Sequence, residues 1–147
     1  MSTCTMEAPG VCRRNAARPV VAEPRRGVRF PLPPERHTTQ MWLDALHPER
    51  VFRTMAGEEL RVLWPGHSNR HEGPDFLSAS VIIQGRLVRG DIEIHTHADD
   101  WWKHGHDDDP AYAGVVLHVC LYAPTRRGPL PPTLLLPGQT EATFRDA

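Results

Sequence analysis

The chain has 147 residues, a length that suits one domain. With 39% hydrophobic residues, three cysteines and a net charge of −1, it is excluded from the membrane-spanning bundles, the disulfide scaffolds and the uniformly basic nucleic-acid binders. The charge is uneven: residues 1–36 carry seven arginines against Glu7, Glu23 and Glu35, a balance of +4 that leaves −5 for the remainder. Such an arm suits a phosphate-bearing partner such as nucleic acid, or equally a solvated leader with no partner. No secretory signal core is present at the N-terminus, and the expected compartment is the reducing cytoplasm.

Residues 1–37 read as a disordered Pro/Arg-rich arm, because Pro9, Pro19, Pro24, Pro31, Pro33 and Pro34 break any apolar period. The first helical signal runs from Thr38 to Leu46. Thr38 or Thr39 caps it, Met41, Trp42, Ala45 and Leu46 share a face, and Pro48 stops it. Val51 to Thr54 and Leu60 to Trp64 read as strands of a hairpin around Gly57, followed by a polar loop from His67 to Asp75. Phe76 to Ile83 and Leu87 to His97 read as longer strands joined by a turn at Gln84-Gly85-Arg86. Asp99 to His104 reads as a helical turn, and residues 105–110 as a polar loop. Val115 to Tyr122, almost continuously apolar, reads as a buried central strand in which Cys120 is simply packed. The remainder is rich in proline and glycine, with one short strand expected at Thr133 to Leu136. The expected class is α/β in the α+β sense: a small mixed sheet with a central antiparallel hairpin, flanked by one or two helices. The core is expected at 38–124, and residues 125–147 as a tail that begins a further region.

The chemistry concentrates between Asn69 and His118. Along Gly90-Asp91-Ile92-Glu93-Ile94-His95-Thr96-His97, alternation sets Asp91, Glu93, His95 and His97 on one face against an apolar opposite face. A hairpin turning near Gln84 sets Asp75 opposite Glu93, where cross-strand Cβ atoms lie roughly 4.5–5.5 Å apart. Two carboxylates that close repel unless a proton or a cation lies between them. Asp75 and Glu93, with Asp91 as a third donor, are the candidate metal ligands, and Asp75, Glu93 and His95 the candidate catalytic residues. Oxygen donors with one imidazole suit Mg²⁺ or Mn²⁺, with Zn²⁺ the less favoured choice. Asn69 and His71 in the preceding loop, and Trp101, His104 and His106 further on, are candidate substrate-binding residues. His104 or His106 closes over the first cluster as an acid or base, or belongs only to a solvated acidic loop. One of Trp101 and Trp102 is expected in the core, leaving the other to stack on a base or sugar. His118, alone in an apolar run, reads as a satisfied core residue.

Several blocks in fixed order carry a family resemblance. They are Asn69-Arg70-His71-Glu72-Gly73-Pro74-Asp75-Phe76, Gly90-Asp91-Ile92-Glu93-Ile94-His95, Asp100-Trp101, His104-Gly105-His106, Asp109-Pro110-Ala111-Tyr112 and Val116-Leu117-His118-Val119. Together they resemble the bacterial domain-of-unknown-function family 2851 over roughly residues 51–122. Members of that family are usually longer, so the resemblance implies correspondence to their N-terminal part; it implies no activity. Pro74-Asp75, a hairpin and Glu93-Ile94-His95 also resemble the PD-(D/E)XK nuclease pattern. That resemblance implies a restriction-endonuclease-like core in which Asp75 and Glu93 hold Mg²⁺ for phosphodiester hydrolysis, and it sets His95 where the pattern has lysine. Three functions therefore stand open: a metal-dependent nuclease, a non-catalytic binding or scaffold domain with a structural polar cluster, and a zinc hydrolase built on His95, His97, His104 and His106.

Overall fold

The computed structural model describes residues 32–138. The basic arm up to residue 31, with Cys4 and Cys12, and the chain beyond 138 lie outside the described residues. The chain forms α1 (Glu35–Ala45), β1 (Phe52–Arg53), β2 (Glu59–Trp64), β3 (His67–Ser68), β4 (Phe76–Ile83) and β5 (Arg86–His97). It continues through α2 (Asp100–Lys103) and two 3-10 turns, His106–Asp108 and Pro110–Tyr112, to β6 (Val115–Tyr122) and β7 (Thr133–Leu135). This is a mixed α+β fold with one strand-rich sheet in the order β1-β2-β4-β5-β6-β7, with β3 also pairing with β4. The first four strands of that order are antiparallel neighbours, whereas β5, β6 and β7 run parallel. Parallel neighbours need a crossover, and residues 98–114, with α2 and both 3-10 turns, supply it between β5 and β6.

Helix α1 starts at Glu35, inside the segment expected as arm. Pro34 stands at its N-cap, where a missing N–H costs nothing. Thr38 is therefore no cap. It is buried in the second turn, where its Oγ1 lies 3.1 Å from Thr96 Oγ1 and ties α1 to β5. Of the residues expected on the buried face, Trp42 is fully enclosed and stacks obliquely on Phe52 at 5.5 Å, whereas Met41 is exposed. The apolar core lies between α1 and the sheet, around Trp42, Phe52, Leu60, Ile92, Ile94, Leu117 and Leu134. Residues 125–138, expected as tail, contribute to it: β7 pairs with β6, and Leu134 is fully buried.

The β4–β5 hairpin turns at Gln84 and Gly85, both at positive φ (50° and 81°), the geometry of a two-residue turn that matches strand twist. From Ile83↔Arg86 to Ala79↔Gly90 the register is unbroken. Continued to the start of β4, it would set Asp75 opposite Ile94. Instead the ladder slips by one residue between Ala79 and Phe76, so Phe76 faces Ile92 and Asp75 comes opposite Glu93. The slip is a bulge centred on Ser78, a serine at φ 62°, whose N–H donates to Asp91 Oδ1 at 3.1 Å. Among the described residues, no helix is long and apolar enough to cross a membrane.

Candidate functional site

Asp75 and Glu93 meet at the open end of the β4–β5 ladder. The Asp75 N–H donates to Glu93 Oε1 at 3.2 Å, and the Ile94 N–H donates to Asp75 Oδ2 at 2.8 Å. Glu93 is only 5% exposed. Burial, then the Asp75 charge and carboxyl, push its pKa up to about 9. Asp75 is also raised, by burial, although the Ile94 N–H and the Glu93 carboxyl act against this. Burial of the pair therefore favours one shared proton wherever no cation takes its place.

A third carboxyl belongs here. Glu35, in the first turn of α1, is exposed as a residue, yet partial burial of its carboxyl and the charges of Asp75 and Asp100 push it up to about 7. Reading the first 37 residues as arm concealed it. The available signal was Pro33-Pro34-Glu35, prolines followed by an acidic residue, a helix-start pattern.

The other oxygen of Glu93 faces histidines. Glu93 Oε2 is 3.1 Å from His106 Nε2, in hydrogen-bond geometry. It is also 3.1 Å from His95 Nε2, but there the alignment fails, and His95 Nε2 has no hydrogen-bond partner although His95 is only 1% exposed. His95 Nδ1 lies 2.8 Å from His118 Nε2 on β6. His118, read as isolated packing, is thus fully buried against the site residue beside it. Its ring also lies near Cys120 Sγ, at 3.4 Å from Nε2. The crossover brings His104 and His106 over β5, with ring centroids 5.1 Å from that of His95 in each case. His95, His104 and His106 each offer a ligand atom within 4.8 Å of the others and are able to hold a metal ion.

Burial, first, and then the neighbouring imidazoles hold the His95, His106 and His118 rings neutral. His95 is lowered to about 2 and His118 to about 3, and His106 is lowered too. A neutral imidazole keeps the lone pair that a metal or a proton needs. Tyr112 stacks on His106 at 3.6 Å, and burial beside Glu93 and Asp75 raises its phenol to about 12. An open cleft of about 590 Å³ borders His106, lined also by Trp101, Tyr112 and the carboxylates of Asp107, Asp108 and Asp109.

Other expected residues stand elsewhere. Asp91 has a local role in the bulge: its Oδ1 accepts from the Ser78 N–H at 3.1 Å, and its other oxygen lies beside Gly114. Asn69 braces the loop before β4, its Nδ2 donating to Pro74 O at 2.8 Å and its Oδ1 accepting from the His71 N–H at 3.1 Å. His71 is exposed on that loop. Trp101 and Trp102 are both buried: Trp101 walls the cluster at 5.4 Å from His106 and 5.2 Å from His118 and lines the cleft, and Trp102 lies under Arg126. His97 leans on Tyr122 and accepts from the Asp99 N–H, and the group able to hold a metal is His95, His104 and His106.

The fold and site together define a small α+β domain with a buried carboxylate–histidine cluster at the start of a parallel crossover. The family described as "Protein of unknown function (DUF2851)" matches residues 35–128, and the chain belongs to that family. No curated protein and no solved structure matches it.

Proposed function

We propose that the chain is a metal-dependent nuclease, hydrolysing phosphodiester bonds on a restriction-endonuclease-like core. The observation that carries this reading is the Asp75–Glu93 pair. Two carboxyls from adjacent strands converge where burial makes their joint ionisation unfavourable without a cation. The order of elements supports it. With the short β1 and β3 set aside, the chain runs helix, three antiparallel strands, a short helix and a parallel strand, with the pair at the start of the second main strand and within the third.

In this reading Asp75 and Glu93 would hold Mg²⁺ or Mn²⁺, which when bound supplies positive charge for the phosphate and a more acidic water. The chain's own groups orient and buffer that centre. Ile94 N–H fixes the Asp75 carboxylate, and Asp75 N–H fixes Glu93, so both carboxylates are held before any substrate arrives. His95 stands where the nuclease pattern has lysine. Held neutral, it brings a lone pair and no charge. The basic residues of the N-terminal arm suit a polyanionic partner.

The test is cleavage of plasmid DNA and of RNA with Mg²⁺ or Mn²⁺, using the full chain alongside Asp75→Ala and Glu93→Ala. Cleavage lost in both variants supports the reading; cleavage undiminished in both, or no cleavage by the parent chain with either metal, overturns it.

A further inference from the structure

We infer that Glu93 Oε2, His95, His104 and His106 form a second cation site, selective for a borderline transition metal of the Zn²⁺ class and adjoining the Asp75–Glu93 pair through the shared Glu93 carboxylate. Three observations converge on it. The first is donor chemistry. Imidazole nitrogens favour zinc and its neighbours over magnesium, and three of them with one carboxylate complete a four-coordinate set.

The second is spacing. Ligands about 2.0–2.1 Å from a tetrahedral zinc stand about 3.3 Å from one another. Glu93 Oε2 lies 3.1 Å from His95 Nε2 and 3.1 Å from His106 Nε2, close to two edges of such a tetrahedron. Hydrogen bonding explains the His106 contact alone. At His95 the atoms are near but misaligned, as donors are when both point at a third position.

The third is the orphaned nitrogen. His95 Nε2 is enclosed and has no hydrogen-bond partner, an unfavourable state that a metal would relieve. His118 supplies the outer support that metal-ligating histidines need. With His95 Nδ1–H donating to His118 Nε2, the free lone pair of His95 is left on Nε2, facing Glu93. The two oxygens of Glu93 divide between the sites, Oε1 toward Asp75 and Oε2 toward the imidazoles. His106 also borders the open cleft, which gives a metal a route to the cluster.

The site stands whether or not the chain cuts phosphodiesters. Within the nuclease reading, a cation there would also return the positive charge that lysine provides in the usual pattern.

The test reads metal binding and not cleavage. Tag-free full chain, stripped with a chelator, is titrated with Zn²⁺ against a chromophoric competitor, and Co²⁺ is added separately to read coordination from its visible absorption. The expected result is one zinc per chain and a four-coordinate Co²⁺ spectrum. His104→Ala and His106→Ala each weaken zinc binding by at least roughly tenfold, and Asp75→Ala leaves it within about twofold. His104 is exposed, so its variant reports on the site without disturbing the core, and thermal melts check each variant's fold. Zinc affinity unchanged in His104→Ala overturns the proposal. So does an Asp75→Ala variant that loses zinc as fully as His104→Ala, which would mean a single shared site.

Discussion

In the metal-free protein, stability should fall as pH rises from about 6.5 to about 8, and Glu93 should be the main cause. A carboxyl whose pKa is raised on folding binds its proton more tightly in the folded chain. Glu93 is raised from 4.5 to about 9, so across this interval the folded chain keeps the proton and the unfolded chain has already lost it. Raising the pH therefore favours unfolding, by at most about 1.4 kcal/mol per pH unit for one proton. Over 1.5 units that is about 2 kcal/mol, or a fall in Tm of roughly 8 °C for a domain of this size. Glu35, raised to about 7 but on the exposed side of α1, adds a smaller decline in the same direction. The depressed histidines have the opposite dependence, since acid protonates them in the unfolded chain first, but that acts below their ordinary 6.5. The assay is a series of thermal melts in chelator, for the parent chain and for Glu93→Gln, whose amide keeps the shape and has no proton to lose. The parent should show the decline and the variant a nearly level Tm, and saturating Zn²⁺ or Mg²⁺ should flatten the parent as well. A level Tm in the metal-free parent, or an equal decline in Glu93→Gln, would refute the reasoning.

Three further substitutions probe the frame around the site. His118→Ala strands His95 Nδ1 without its partner and opens a cavity, and should lower the unfolding free energy by about 3 kcal/mol in denaturant melts. Gly90→Ala sets a Cβ about 2.5 Å from Gly114 O and against the Val116 side chain, where the β5–β6 pairing leaves no room. A loss of about 2 kcal/mol is expected, and an unchanged melt would contradict this packing. Asp91→Ala removes the acceptor that holds Ser78 in its bulge; it should cost about 1 kcal/mol by denaturant titration and weaken Mg²⁺ binding without changing that of Zn²⁺.

The longer strands and the central hairpin were legible because their signals are local, whereas β3 falls in the expected polar loop, its pairing with β4 set by tertiary contact. β-Branched residues mark the end of β4, the apolar run marks β6 with the same ends as observed, and Gln84-Gly85 marks the turn. The facing of Asp75 and Glu93 was legible through a simple register, yet it is achieved by a one-residue bulge at Ser78 that nothing in the sequence announces. A serine at positive φ is held there by a carboxylate thirteen positions away. That same carboxylate, Asp91, shares the Glu93 face by alternation, and its observed partner is Ser78. The histidine cluster was legible as a set, since His95, His104 and His106 stand together in the zinc reading, but its geometry was not. His104 and His106 reach His95 only because β6 returns parallel to β5, and His118 reaches it only through the pairing of those strands. Periodicity cannot report contacts made by a crossover. Glu35 was missed for a different reason: the prolines that were read as ending order in fact begin a helix.

The crossover that assembles the cluster also makes it compact along the chain. Glu93, His95, His104 and His106 fall within fourteen consecutive residues, and a cation held by them would clip β5 to the turn that leads back into the sheet. Closing so short a loop has a small entropic cost, so the clip can form as soon as β5 and the crossover meet, before β4 delivers Asp75. Loading with zinc should then act as a local brace. Amide hydrogens of α2 and the His106–Asp108 turn would slow their exchange first, while the distant β1–β2 edge would report only the gain in global stability.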